Sequence, residues 1–215
     1  MRQGVVSKKT TDGRWIRRRA KHTGLSLIVV LLILVVVSIL GVGAIQISTL
    51  GERATRNDRD TQIAWQSAEA GLVDAELDIL GLPVGAANNR GAIFKRGATD
   101  IAKFTPGCSA EATTRGLCYS LPTNVLPDWL AVDFTQTGNN APTVELGAFT
   151  DRTFASGTAG IQPAASPRYV IELVEEPELQ ATTAVQNRKY LYRVTSMGYG
   201  PNAHTRGVVQ MIYRN

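Results

Sequence analysis

At 215 residues, with 44% apolar side chains, 20 glycines and 9 prolines, the chain has room for one domain with an appendage or two small domains, and its composition rules out a collagenous or wholly disordered protein. His22 and His204 are the only imidazoles and Cys108 and Cys118 the only thiols, too few for a His/Cys zinc site, so a metalloenzyme is not expected and no cofactor is implied. The net charge of +5 comes from residues 1–24, where Arg2, Lys8, Lys9, Arg14, Arg17, Arg18, Arg19 and Lys21 face Asp12 alone; the remaining chain sums to −2, which removes a bulk electrostatic case for nucleic acid.

The basic arm leads into Leu25–Leu50, LSLIVVLLILVVVSILGVGAIQISTL, which holds no charged residue and is purely aliphatic from Leu27 to Val37. At about 1.5 Å per residue, some 20 such residues span the roughly 30 Å hydrocarbon core of a bilayer. A buried helix of this length in a soluble protein would keep a polar face. The segment is therefore expected in a membrane, with the positive arm cytoplasmic and everything after residue 50 on the far side. Three readings of the junction compete. One is a secretory signal, whose Gly41-Val42-Gly43-Ala44 resembles a small-residue cleavage site; the second is an uncleaved signal anchor; the third is a prepilin-type leader cut after Gly24, just ahead of the apolar run.

Past Leu50 the sequence turns polar but contains no proline before residue 83. Ile47, Leu50, Ala54, Thr61, Ala64, Ala68, Leu72, Ala75 and Ile79 recur at helical spacing, with Arg53, Arg56, Asp58, Arg59, Glu69, Asp74, Glu76 and Asp78 assigned to other faces. The pattern predicts one helix from Leu25 to about Leu80, roughly 80 Å long at the same rise. Its half 25–50 would lie in the membrane and its half 51–80 would be amphipathic. The alternative is two helices broken at Gly41, Gly43 or Gly51, since an interior glycine costs about 1 kcal/mol relative to alanine.

Residues 81–166 read mainly as loops, from Leu82-Pro83, Asn88-Asn89, Gly138-Asn139-Asn140 and Ala164-Ala165-Ser166-Pro167, with a short strand expected near Trp129 to Phe134. Cys108 and Cys118 enclose nine residues. In an oxidising periplasm a disulfide is expected, worth about 3 kcal/mol for a loop of this size; two free buried thiols are the alternative. Farther on, Arg168 to Val174, Tyr190 to Met197 and Val208 to Tyr213 are rich in β-branched and aromatic residues and alternate as strands do, with Gly198 to Asn202 as a hairpin connection. The small Ala64, Ala68 and Ala75 would let the helix sit close to that sheet.

No catalytic constellation emerges. His204 sits in a polar turn, Glu175, Glu176 and Glu178 around Pro177 read as a solvated loop, and Ser67 beside Glu69 has no histidine to activate it. An enzyme is not expected.

The block GLSLIVVLLILVVVSILGVGAIQISTLGERATRNDRDTQIAWQSAEAGLVDAE resembles the N-terminal region of PilX-type minor pilins of type IV pili. The resemblance lies in Gly24 before the apolar run, Ser48-Thr49-Leu50 followed by Glu52-Arg53, Asn57, and Gln66-Ser67-Ala68-Glu69-Ala70 ahead of Asp74-Ala75-Glu76. PRYVIELV and YLYRVTSMGYGPNAHTRGVVQMIYRN are similar to the end of the same proteins. The resemblance implies an α+β fold, a long N-terminal helix packed on a C-terminal antiparallel sheet within 167–214, and cleavage by prepilin peptidase between Gly24 and Leu25. The 24-residue leader is longer than is usual in type IVa pilins, and a shorter one would need an alternative start codon. The peptidase is expected to tolerate the length because it reads the glycine and its basic flank.

One departure from that pattern is informative. Most type IV pilins resemble one another in carrying a glutamate at the fifth mature position, which pairs with the N-terminal amine of a neighbour. Here that position is Val29, and the first mature residue is Leu25 where phenylalanine is commoner. The resemblance therefore implies a minor pilin that helps initiate the pilus and sits at or near its tip, supporting adhesion and twitching motility. It would work with other minor pilins, the major pilin, prepilin peptidase and the inner membrane before assembly. The alternatives are a pilus-borne module that uses 81–166 to bind a surface ligand or DNA, and a tip pseudopilin of type II secretion.

Overall fold

The computed structural model describes residues 25–119, 126–157, 161–175 and 190–214. The basic arm with Gly24, and Glu176, Pro177 and Glu178, lie outside them. The chain divides after Glu52 into two compact units.

Helix α1 runs without interruption from Leu25 to Leu80. Gly41, Gly43 and Gly51 all sit inside it, with open space where a Cβ would be, so none acts as a breaker. A bilayer supplies the backbone with no competing hydrogen bonds, which favours a closed helix through such positions. In the first unit every large apolar side chain from Leu27 to Leu50 is exposed, and α1 is long and apolar enough to cross a membrane.

The second unit is an α+β body. Its strands are β1 (Leu117–Tyr119), β2 (Val144–Glu145), β3 (Arg168–Glu175), β4 (Tyr190–Tyr199) and β5 (Arg206–Tyr213), in the order β1-β3-β4-β5 with β2 also on β3. β3, β4 and β5 are antiparallel, in register Tyr169↔Ser196 and Thr195↔Gln210. The free edge of β3 is shared end to end: β2 pairs Arg168 and Tyr169, while β1 runs parallel to Ile171–Leu173. The strands within 167–214 are thus antiparallel as expected, and β1, from outside that range, makes the whole sheet mixed. β1 is only three residues long, too short to show any period in the sequence. The hairpin also starts later than expected: Gly198 and Tyr199 belong to β4, and Gly200 N donates to Thr205 O at 2.8 Å to open the turn.

Residues 60–79 of α1 lie on one face of this sheet, and small residues set the distance. Ala64, Ala68 and Ala75 are fully buried. Opposite them, Gly198 pairs with Gly207, and a Cβ on Gly198 would overlap the carbonyl oxygen of Ala64 and the amide nitrogen of Ala68. Farther along, Ile79, Phe94, Phe104, Tyr169, Ile171 and Tyr192 form the main core, where the Phe94 ring meets Tyr192 edge-on at 5.5 Å. The other face of the sheet carries a smaller cluster of Phe134, Val170, Met197 and Tyr199 with Cys108 and Cys118.

The strand expected near Trp129 to Phe134 is instead a single helical turn, α2 (Asp128–Ala131). Pro127 at its N-cap and Asp128 in its first turn favour a helix start. Trp129 N then donates to Glu172 Oε1 at 3.2 Å, anchoring the turn to β3.

Candidate functional site

Two features stand out once the fold is in place: the uncharged first half of α1, and a set of buried carboxylates that hold loops onto its second half. In the first, Val29 lies on the helix four residues after Leu25 and is 49% exposed. Two hydroxyls of this stretch bond the helix's own backbone: Ser38 Oγ donates to Leu34 O at 2.7 Å and Thr49 Oγ1 to Gln46 O at 2.9 Å. Nothing in Leu25–Leu50 bears a carboxylate; the first acidic residue after it is Glu52.

The second feature was not legible as such. The helical spacing places Asp74 and Asp78 on faces other than the apolar one, but both are buried, one turn apart on the side of α1 that also carries Ala75 and Ile79. The Asp78 carboxylate receives Arg90 Nε at 2.9 Å, Arg90 Nη2 at 2.6 Å and Tyr169 OH at 2.9 Å. Arg90 in turn donates through Nη1 to Arg115 O at 2.7 Å, and its guanidinium lies 3.6 Å from the Phe149 ring centroid. Burial, with Asp78 beside it, pushes the Tyr169 phenol well above its ordinary range and keeps it protonated as a donor. Asp74 receives Gly147 N at 2.8 Å, Thr150 Oγ1, and Arg152 Nη1 at 3.5 Å. Its carboxyl is nevertheless raised, because desolvation outweighs the Thr150, Gly147 and Arg152 contributions. The two carboxylates thus fix segments 90–116 and 147–152 to the helix.

Two more ion pairs serve β3. Glu172, fully buried, takes Arg193 Nε at 2.7 Å and Nη2 at 3.1 Å. Arg168 donates to Thr143 Oγ1 at 2.7 Å and to Glu145 Oε2 at 3.1 Å; burial pulls its guanidinium downward while Glu145 opposes the shift. A disulfide joins Cys108 to Cys118, with Cα atoms 4.1 Å apart. It ties the 105–116 loop to β1, where Thr105 already bridges Cys118. Other residues weighed for chemistry do not converge: Ser67 is buried while Glu69 is exposed, and His204 is exposed in its turn, where its amide donates to Asn202 Oδ1 at 3.0 Å.

Residues 23–73 match the PilX N-terminal family, and residues 114–215 match the C-terminal part of the type IV pilus assembly protein PilX. The chain belongs to the PilX family of type IV pilus minor pilins. No curated protein and no solved structure matches it. Membership accounts for the apolar half of α1 as the membrane and pilus segment of a PilX-type pilin, and implies interaction with other components of the pilus. It also sorts the second unit. The matched blocks meet where α1 residues 60–73 pack on β4 and β5, whereas Asp74, Asp78, Arg90 and Cys108 fall in the unmatched interval 74–113.

Proposed function

We propose that this PilX-type pilin helps initiate pilus assembly and sits at or near the tip, where it supports adhesion and twitching motility. It is held in the inner membrane with its N-terminus cytoplasmic, and prepilin peptidase releases Leu25 by cutting after Gly24. One observation carries the tip position: the apolar half of α1 offers no carboxylate, because Val29 stands where pilins commonly have glutamate. An amine taken into an apolar filament core without a counter-charge costs several kcal/mol. A shaft subunit must neutralise the amine of a neighbour, and this one has nothing to do it with. Glu52 is no substitute, since at 1.5 Å per residue it lies about 35 Å along the helix from Val29. Other minor pilins and the major pilin would follow beneath it. The role is structural and not catalytic, in keeping with the families matched.

An epitope inserted at Gly97, in an exposed turn where nothing crowds the backbone, tests the position by immunogold labelling. A single cluster at filament ends is expected; regular labelling along the shaft would defeat the reading. N-terminal sequencing of the membrane-extracted protein tests processing, with Leu25 as the expected first residue and Ile45 the result for an ordinary secretory signal.

A further inference from the structure

β5 is the last strand in the sheet order, and among the described residues nothing pairs with its outer edge. The register tells which groups that edge presents. Gly200 N bonds Thr205 O at 2.8 Å, and antiparallel pairs alternate between bonded and non-bonded. The pairs Gly198↔Gly207 and Ser196↔Val209 are then bonded inward, so Val208, Gln210 and Ile212 direct their N–H and C=O groups away from β4. Natural edges are guarded by proline, charge, a bulge or brevity. Between Gly207 and Tyr213 this one has no proline and no charge, and it is part of a regular eight-residue strand. Both its flanks carry exposed apolar side chains, with Val208 45% and Ile212 62% exposed on one face. On the other, the half-exposed Trp65 has its backbone against Gly207.

We propose that this edge receives an extended strand from a different pilin-class subunit, adding a strand to the sheet beside β5. Main-chain hydrogen bonds to Val208, Gln210 and Ile212 would supply the affinity, and apolar side chains against Val208, Ile212 and Trp65 the selectivity. Charge chooses between partners. A second copy pairing antiparallel about Gln210 sets Arg206 opposite Arg214, a like-charge contact at both ends of the ladder. An apolar segment with acidic residues at its ends meets those arginines favourably. The inference rests on the chain being a pilus subunit and not on its place in the pilus, so shaft labelling of the Gly97 epitope would leave it standing.

The test places a photoreactive amino acid at Ile212 in the full chain, in piliated cells. The expected product is a cross-link to an extended segment of another pilin-class subunit. Val208→Pro, which removes an outward N–H and no ladder bond, should lower that cross-link at least tenfold, whereas Val208→Thr should keep it within twofold. If Val208→Pro fails to fold, Val208→Lys guards the same edge through a side chain already exposed, leaves the probe at Ile212 in place, and should show the same tenfold loss. A cross-link to β5 of a second copy, no cross-link in piliated cells, or equal losses for proline and threonine would each overturn the proposal. So would slow hydrogen exchange at Val208, Gln210 and Ile212 in the isolated full-length monomer, because the edge would then be covered within the chain.

Discussion

Residues 26–50 and 60–79 belong to one helix and are built on opposite logic. In the first stretch every large apolar side chain is exposed, and the hydroxyls of Ser38 and Thr49 turn back on the helix backbone. In the second, alanines and aspartates are buried side by side while Trp65 and Val73 stay exposed. Apolarity therefore marks the solvent-like surroundings of the first half and says little about the core of the second. There, closeness of approach and paired charge do the work that bulk does in other cores.

The harshest test of that contrast is Asp78→Ala. It leaves the Arg90 guanidinium buried without its carboxylate and takes the acceptor from Tyr169. Removing one partner of a buried ion pair costs about 3–5 kcal/mol. Urea unfolding of the full chain in detergent, followed by near-UV circular dichroism, should show a loss of that size. An effect under about 1 kcal/mol would mean the pair behaves as a surface one. Changing Asp78 and Arg90 together to apolar residues should recover part of the loss, because no charge is then left buried.

Next in size is the disulfide. Replacing Cys108 and Cys118 by serine should cost about 3 kcal/mol, from the closure entropy of a loop this short. The loosening should concentrate in the 105–118 loop and β1, read as faster amide exchange there with α1 residues 60–79 unchanged. Uniform loosening would contradict a local role.

These two sites differ in how readable they were. The cysteine pair followed from compartment and spacing. Asp74 and Asp78 did not, because a charge on an amphipathic helix is by default a surface charge. The available signal was phase: Asp74 and Asp78 are four apart, each next to Ala75 or Ile79, so both sit within the buried arc. Their partners Arg90, Thr150 and Arg152 lie in loops with no periodicity to place them. The three long strands were legible by alternation, and β1 and β2 were not, being three and two residues long and held by β3 rather than by their own sequence. In Asp128–Ala131, the proline and aspartate at the start outweighed the apolar residues that suggested a strand.

Glycine substitutions separate the two halves directly. Gly198→Ala puts a Cβ into the backbone of Ala64 and Ala68, and relief requires moving the helix. Overpacking of this kind costs about 1–3 kcal/mol. Gly43→Ala meets nothing within 4 Å and should leave the unfolding midpoint of the second unit unchanged. Equal losses at both positions would show that the two stretches are not built differently.

The smallest effect concerns Asp74 and is read by pH. Its carboxyl titrates above its ordinary value of 3.8, chiefly through burial, with Thr150, Gly147 and Arg152 pulling the other way and Asp78 adding to the rise. A carboxyl whose folded pKa is raised binds its proton more tightly in the native state, so its contribution to stability grows as pH falls from the raised value toward 3.8 and is lost as pH rises through that window. Asp74→Asn keeps one oxygen to accept from Gly147 or Thr150 and cannot titrate. At pH 7 it should cost about 1 kcal/mol or less, the scale of one hydrogen bond. The gap between wild type and Asp74→Asn should then widen as pH is lowered toward 4. Comparing the two proteins at each pH cancels every other titrating group they share. A gap that narrows on acidification would mean that Thr150, Gly147 and Arg152 together outweigh desolvation, and that Asp74 is held as a fully favoured carboxylate.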